Sequence, residues 1–400
     1  MVSLASCRSI NDSMRHDSDP YAAEYVKKVI IRPWFISPPP RVNPNIWTNF
    51  YEILDPAHVG RETELRLRRF LWEDFALIVS ALNPMKNVKE YFIEWDEEKD
   101  YHIELYKACF TPISRNSMGQ LTKLTIKVPP QLLESFVSVR LGNLETLEYH
   151  FCTGQMSLQD IDDIHNGFLV FVNNLKDSLE HLSFISTHTS LNLDITRIYK
   201  SLGPFPKLRS ISLSAPFDGA HLSDPLVFVK FLKKHRLTLK NISVLTSRCT
   251  VRSTPSYPES INWIQKILTS VDSPFPGLQS LALAMRPLQT SLTNVSDFLE
   301  MHMSTLDSLI LADRALDYSG LEQLLESASR PLDLGGLRHF RVKLANFSPR
   351  ILYYLAFKMP GLISLDIECS SIINHRSDRN FVGFIYLFID ICFSYLCFLV

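Results

Sequence analysis

One short phrase, apolar-x-x-apolar-x-apolar, recurs along almost the whole chain and constrains its fold more than any other feature. A single copy occurs by chance in any leucine-rich helix. Nine copies in order, each followed by a helical pattern and a turn, indicate an internal repeat. Two weaker copies begin upstream, at Val26 and Val88. The nine copies are Leu121-Leu124-Ile126, Leu144-Leu147-Tyr149, Leu179-Leu182-Phe184, Leu208-Ile211-Leu213, Leu239-Ile242-Val244, Leu278-Leu281-Leu283, Leu306-Leu309-Leu311, Leu337-Phe340-Val342 and Leu362-Leu365-Ile367.

The spacing within the phrase predicts one short strand per copy. Its last two apolar residues are two positions apart, which places both on one face of a strand. Successive copies lie between 23 residues apart (Leu121 to Leu144) and 39 residues apart (Leu239 to Leu278), about the length of one strand plus one helix. We therefore expect an α/β leucine-rich-repeat solenoid, a horseshoe with parallel strands on its concave face and helices outside. An ordinary α/β domain is the alternative.

The segments between the copies carry helix signals. Asp224 and Pro225 place a capping residue and an N-terminal proline ahead of an apolar run, and Ser348 with Pro349 does the same. Similar patterns predict helices over residues 129–137, after residues 257–260 and after residues 317–319. Gly or Pro then precedes many of the next strands, as expected where a helix ends.

The "x" positions of the phrase should face away from the core and form a binding surface along the sheet. Such a surface can recognise a protein through many shallow contacts and a few anchors. The alternative for any one position is a solvated side chain. In the middle of the chain, small polar residues dominate these positions. The candidate anchors are Glu148, His181, Arg209, Lys240, Arg338 and Arg341.

Composition narrows the class of partner. The 41 basic and 42 acidic residues nearly cancel, so no global positive field favours nucleic acid. The seven cysteines are odd in number and contain no Cys-x-x-Cys pair, which argues against a disulfide framework or a zinc knuckle. Residues 1–20 lack the apolar core of a secretory signal. We expect a reducing compartment and a protein partner.

Two pairs of residues resemble part of a metal site and part of a catalytic site, but neither pair has the further residues that such a site needs. Asp162 and His165 share a helical face, but no second His or Cys stands at a matching distance, and acidic residues near a helix start are explained by the helix dipole. His150 and Cys152 lie on one side of a predicted strand, without a third group to support a nucleophile pair. Phosphate-loop, Gly-x-Ser-x-Gly and His-Glu-x-x-His phrases do not occur. We expect no enzyme, no cofactor and no metal.

The residues just before each strand, which we call the strand leads, have a characteristic sequence. Phe205-Pro206-Lys207-Leu208 and Phe275-Pro276-Gly277-Leu278 both place a Phe-Pro pair ahead of the repeat. With these strand leads, the repeats over approximately residues 21–375 resemble those of fungal F-box proteins with irregular leucine-rich repeats. The resemblance implies a substrate receptor that docks on the Skp adaptor of a cullin-based ubiquitin ligase. The Leu-Pro phrase that opens an F-box is not found in residues 1–20, which leaves a truncated gene model, a lost module or a module never present.

The C-terminal residues form a separate apolar segment. Residues 381–400 have Asp390 as their only charge, and 20 residues would span a bilayer. A tail anchor, a last helix that caps the solenoid and an artefact of a misassigned exon end are the three interpretations. The domain prediction is therefore a disordered N-terminus at 1–20, the solenoid at 21–375 and a hydrophobic tail at 376–400.

These observations predict a non-enzymatic protein–protein recognition scaffold, the substrate-receptor part of an F-box-like ubiquitin ligase subunit. A tail-anchored, membrane-associated leucine-rich-repeat scaffold is the alternative. The expected location is the cytoplasm or nucleus, or a membrane if the tail is an anchor. The expected partners are a protein substrate, with the Skp adaptor and cullin if the full gene carries an F-box.

Overall fold

Strands form wherever the repeated phrase alternates apolar and polar residues. The computed structural model describes residues 2–3, 20–32, 75–95, 103–114, 118–128, 139–153, 157–190, 192–247, 262–286, 292–326, 336–372 and 381–390, with isolated positions between them. The chain divides into two units, Met1–Ser178 and Leu179–Val400. In both units the described part alternates strands with helices, which gives an α/β architecture.

Unit 1 contains a parallel sheet whose strand order follows the chain. Each strand pairs in parallel with the next one along the sequence. Residues 75–82 are also helical. The elements are β1 (Val2–Ser3), α1 (Pro20–Tyr25), β2 (Lys28–Ile31), β3 (Glu90–Glu94), α2 (Ile103–Ser114), β4 (Lys123–Lys127), β5 (Thr146–Phe151) and α3 (Leu158–Asn174).

Unit 2 repeats the same arrangement. Strands β6 to β12 pair in parallel in chain order, and β13 adds to β12 in the antiparallel sense. The elements are β6 (His181–Ser186), α4 (Ile195–Ser201), β7 (Ser210–Ala215), α5 (Pro225–Lys234), β8 (Asn241–Thr246), α6 (Trp263–Thr269), β9 (Ser280–Ala284), α7 (Thr293–His302), β10 (Ser308–Leu316), α8 (Tyr318–Glu326), β11 (His339–Phe347), α9 (Pro349–Lys358), β12 (Ser364–Ile372) and β13 (Phe381–Asp390).

The prediction of one strand per phrase is confirmed. In all eleven copies the three apolar residues are buried, and the last two lie in a strand. The first one lies just before the strand. In the copies that begin at Val88, Leu121 and Leu144, and in those from Leu208 to Leu362, the two residues after it both donate their amides to one carbonyl, that of the equivalent residue before the preceding strand. In unit 2 the amides of Lys240 and Asn241 both donate to the carbonyl of Arg209. This pairing fixes the register before each strand begins.

Most helix starts agree with the sequence signals. α5 begins at Pro225, and the Asp224 carboxylate caps it by accepting from the Leu226 amide at 3.0 Å. α9 begins at Pro349 after Ser348, as predicted. In the segment 129–137, where a helix was expected, the described residues Leu133 and Phe136 have 3-10 geometry, and residues 129–132 lie outside the described part. Residues 257–260 lie outside it as well.

A buried histidine joins the end of α5 to the lead of β7. The Phe205 amide donates to Nε2 of His235 at 2.9 Å, so Nε2 carries no proton. The neutral ring therefore carries its proton on Nδ1 and donates to the Phe231 carbonyl at 2.9 Å. Burial is the main reason why the pKa of His235 is lowered from 6.5. The ring links one helix end to the strand lead that precedes it in the sequence.

The same joint recurs 67 residues later at the end of α7. The Phe275 amide donates to Nε2 of His302 at 3.1 Å, and Nδ1 donates to the Phe298 carbonyl at 2.7 Å. In each case a threonine three residues on, Thr238 or Thr305, donates to the histidine carbonyl at 3.1 Å. Burial also lowers the pKa of His302. We call these two arrangements the histidine joints.

The apolar C-terminal segment begins as a strand. Phe381–Asp390 pairs antiparallel with β12, and Asp390 lies opposite Ser364. Its β-branched and aromatic residues have high strand propensity, which favours a strand over the helix expected for a cap or an anchor. Among the described residues, no helix is long and apolar enough to cross a membrane. Residues 376–380 and 391–400, the rest of the predicted tail, lie outside the described part.

Candidate functional site

The face of the unit 2 sheet opposite the core is lined by the "x" residues of the phrase. Burial alternates along β6, β7 and β8, with the phrase leucines and isoleucines inside and their neighbours partly exposed. Because the strands are in register, equivalent residues form rows across the sheet. One row runs His181, Ser210, Asn241, Ser280, Ser308, His339 and Ser364. We call this surface the open face.

Small hydroxyl side chains dominate the first half of the open face. Ser212 lies between Ser183 and Ser243 in the second row, and Ser210 and Ser280 lie in the first. All five are partly exposed. Serine loses little side-chain entropy when it is covered, and its hydroxyl can both donate and accept. These five serines, on β6 to β9, are the hydroxyl strip.

Paired charges occupy the second half of the open face. Arg341 on β11 lies opposite Asp366 on β12, and their Nε and Oδ2 atoms are 3.2 Å apart. Two residues further along, Lys343 lies opposite Glu368 and binds its carboxylate. These four residues are the charged strip. Because each charge already has a neighbour of opposite sign, a partner bound here would have to replace those contacts.

The strand leads add a row of longer side chains along the amino edge of the unit 2 sheet. Arg209 pairs with Glu180 at 3.1 Å, and Arg338 pairs with Asp307 at 3.6 Å. Lys240 occupies the equivalent position before β8 and is exposed. Within the described residues no ion pair is found for Lys240. This edge therefore places a cation beside the hydroxyl strip.

The corresponding face of the unit 1 sheet carries charged side chains on each of the strands β2 to β5. Lys28 pairs with Glu90 at 3.0 Å, and Arg32 Nε lies 2.8 Å from Glu94. Glu148 on β5 binds Nε2 of His150 at 2.8 Å. This hydrogen bond, with the charges of His150 and Lys123, lowers the pKa of the Glu148 carboxyl against the effect of its partial burial. Glu148 is thus part of a local pair within unit 1.

The six predicted anchors fall into separate groups. His181, Arg209 and Lys240 lie on or just before three adjacent strands, β6, β7 and β8, whose spacing is about 4.8 Å. Arg338 and Arg341 lie three strands further along, and like Arg209 they are engaged in ion pairs. Glu148 belongs to unit 1. The structure therefore brings together three of the six, beside the hydroxyl strip.

The remaining titratable groups with displaced pKa values lie in the cores of the units or at the ends of their helices. Burial raises the pKa of Tyr91, whose hydroxyl donates to the Cys109 carbonyl at 2.6 Å. Burial lowers the pKa of His221 to about 4. Asp162 and His165 lie on α3, and their side chains are outside the described part. Among the residues whose side chains are described, no group of three or more His, Cys, Asp or Glu could hold a metal ion.

Sequence reasoning missed the histidine joints and the charge pairing across strands. The joints do have a sequence signal, because His-x-x-Thr-Leu occurs at His235 and again at His302. The pairing of Arg341 with Asp366 has none, since it depends on which residues the register places side by side.

No family model matches the sequence, and no curated protein matches it.

Proposed function

We propose that this protein is a non-enzymatic recognition scaffold of the leucine-rich-repeat type, which binds another protein on the open face of the unit 2 sheet. The observation that carries the proposal is the row register of β6 to β12, which aligns mostly polar side chains, interrupted by Ala282 and Ile310, on the face opposite the buried leucines. In a leucine-rich-repeat horseshoe this face is concave. Stacked repeats use such surfaces for binding.

Within the open face, the hydroxyl strip and its amino edge form the preferred contact area. Their serines allow close approach of a partner backbone, and Lys240 with Arg209 and His181 supplies anchors with longer side chains. Lys240 is exposed and has no ion pair among the described residues, which favours a partner segment that carries carboxylates. The charged strip serves as the flank of this area.

The F-box resemblance adds a role to the scaffold. On that basis we propose that the protein presents a substrate to a cullin-based ubiquitin ligase through the Skp adaptor. What supports this part is the phrasing of the strand leads, including Phe205-Pro206 and Phe275-Pro276, together with the repeated strand–helix architecture. The adaptor contact is therefore separable from substrate recognition and needs its own test.

The test is affinity purification of the tagged full-length chain beside two variants. Ser212→Glu with Ser243→Glu places two longer anionic side chains in the hydroxyl strip, where they obstruct close approach and repel a partner that carries carboxylates, and we expect it to lose bound protein partners at least about tenfold. Lys230→Glu, on the exposed side of α5, is the matched control and should retain them. Circular dichroism should give the wild-type spectrum for both variants.

Two outcomes decide the two parts separately. Equal recovery of partners by the strip variant and by the control would contradict recognition through the hydroxyl strip. Recovery of both the Skp adaptor and cullin would support the ligase role. Their absence, with a strip-dependent partner still bound, would overturn the ligase role and leave the scaffold.

A further inference from the structure

The strand leads of β7 and β8, together with the end of α5, are rich in cations. Residues 200–240 contain eight Lys or Arg residues but two acidic residues, Asp218 and Asp224. Both acidic residues lie between β7 and α5, at the carboxyl edge of the sheet, where Asp224 caps the helix. The leads of β7 and β8 lie at the opposite, amino edge. The cations of these leads and the carboxylates of the same segment are therefore at opposite edges of the sheet.

Two of the cations at this amino edge have carboxylate partners in neighbouring repeats. Arg209 pairs with Glu180 at 3.1 Å, and Lys233 Nζ lies 2.9 Å from Asp272 Oδ2. Among the residues that the structure describes, no ion pair is found for the other four, which are Lys207, Lys234, Arg236 and Lys240. All four are at least partly exposed. Four positive charges therefore remain available to an anion here.

Hydrogen bonds direct two of these cations to the neighbouring repeats. Lys234 Nζ donates to the Leu202 carbonyl at 3.3 Å, just before the lead of β7. Arg236 Nη1 donates to Ser273 Oγ at 2.9 Å, just before the lead of β9. Both acceptors are neutral oxygen atoms, so neither contact compensates the charge. The two side chains thus extend along the edge in opposite directions from the end of α5.

An exposed leucine lies among these cations. Leu237 directly follows Arg236 in the lead of β8 and is 79% exposed. The equivalent residues of the neighbouring leads are Pro206 and Pro276, and both are exposed. Each of the three stands three residues before the carbonyl that accepts the paired amides of the next repeat. We call Lys207, Lys234, Arg236, Leu237 and Lys240 the basic edge.

The composition of the basic edge favours a protein partner over other anions. Single-stranded RNA is bound by stacking of its bases on aromatic rings as well as by phosphate contacts. The aromatic residues in the described leads of β7 to β9, Phe205 and Phe275, are buried. A membrane surface requires a wider apolar face than one leucine and two prolines provide. A protein segment, by contrast, can place carboxylates beside the cations and one apolar side chain on Leu237.

We propose that the basic edge binds an acidic segment of another protein, whose carboxylates contact Lys207, Lys234 and Lys240 and whose apolar side chain covers Leu237. The dipole of α5 accounts for a cation at Lys234, near the end of the helix, but Lys207 and Lys240 lie outside the helices. Because the cations are exposed, salt weakens the contact. The basic edge is a second surface beside the open face, so this inference goes beyond the proposed function and does not depend on it.

Selection from a random peptide display library on the full-length chain, at low salt, tests the proposal. We expect the enriched peptides to carry several Asp or Glu residues around one Leu, Ile, Met or Phe. Their affinity, measured by fluorescence polarisation, should fall at least about tenfold in Leu237→Ser and in Lys207→Glu, which remove an apolar anchor and reverse a charge. Both positions are exposed, so both variants should keep the wild-type melting curve.

The chain offers a matched control for each variant. Leu226→Ser changes a leucine that is 44% exposed at the other end of α5, and Lys230→Glu reverses an exposed charge in the middle of that helix. Both should bind the enriched peptides within about twofold of the wild type, because residues outside a contact contribute little to its affinity. Neither edge variant alters the hydroxyl strip, so the proposed function is decided separately.

Several results would overturn the proposal. Enriched peptides without acidic residues, the absence of any enriched peptide, or equal losses in the edge variants and their controls would each do so. Binding of oligouridylate that is lost in Lys207→Glu, with no acidic peptide enriched, would identify a phosphate polymer as the ligand instead. The same pattern with phosphatidylserine vesicles would identify a membrane.

Discussion

The hydroxyl strip and the charged strip lie on the same open face of unit 2 and are built by the same repeat, but they differ in what they offer a partner. In the charged strip, Arg341 and Lys343 already pair with Asp366 and Glu368 across adjacent strands. A partner there has to compensate for broken ion pairs. In the hydroxyl strip, small side chains cost little entropy to cover. The same repeated backbone therefore carries two surfaces that differ in the free energy lost when a partner covers them.

The two halves also differ beneath the open face. The histidine joints at His235 and His302 hold the leads of β7 and β9, on the hydroxyl side. In the charged half, the C-cap of α9 is Met359, an apolar residue at the position that His235 occupies in α5. The hydroxyl half thus depends on two neutral buried imidazoles. We therefore expect acid to destabilise the hydroxyl half at a higher pH than the charged half.

The largest expected effect comes from the core that both halves share. Leu281→Asp on β9 or Leu309→Asp on β10 places an unpaired charge among fully buried side chains, which should cost at least about 4 kcal/mol and abolish cooperative folding. Ser280→Asp, one residue away on the open face, is the control and should melt near the wild type. Wild-type-like melting of both leucine variants would contradict the repeat core.

The histidine joints should make stability fall in acid. Their pKa values are lowered from 6.5 by burial, so their contribution is complete above about pH 6.5, where the unfolded chain is also neutral. Below that pH the unfolded chain takes up protons first. The free energy of unfolding then falls until the pH passes the lowered pKa of the folded state. Urea titrations between pH 8 and 5 measure this slope.

Two substitutions separate titration from hydrogen bonding at a joint. His302→Leu leaves the Phe275 amide without its acceptor, which should cost about 1–3 kcal/mol at pH 7.5 and flatten the acid slope. His302→Gln keeps a donor and an acceptor but cannot titrate, so we expect a flatter slope at a smaller cost. Slopes parallel to the wild type in both variants would show that the joint does not govern acid stability. Hydrogen exchange should show the change at β9.

The smallest expected effect concerns the charged strip. Arg341 is half exposed, so Arg341→Ala should leave folding intact and change the free energy of unfolding by less than about 1 kcal/mol. The residual effect should shrink further at high salt, because exposed pairs are screened. Arg338→Ala, which removes the longer pair with Asp307, is the companion variant. A loss above about 2 kcal/mol would show that the ion pair of Arg341 stabilises the fold more than its exposure indicates, and that a partner would lose more by replacing it.

Sequence alone located every strand of the repeat. The positions of Leu281 and Leu283, or of Phe340 and Val342, follow from a local rule, since residues two apart in a strand share a face and apolar side chains gain free energy by burial. The helix starts at Pro225 and Pro349 follow from equally local capping signals. These features need only a few neighbouring residues, which is why a single sequence contains them.

Only the tertiary structure decided which polar residues act together. Arg341 was a predicted anchor, but the register places it beside Asp366, while His181, Arg209 and Lys240 gather near the serines. Likewise, His235 meets Phe205 across 30 residues of chain. Tyr353 is left uncovered because no described helix follows α9. The contacts and the exposure of each side chain depend on segments that are distant in the sequence. Their register is set when strands pair and helices stack, and a local sequence pattern does not specify it.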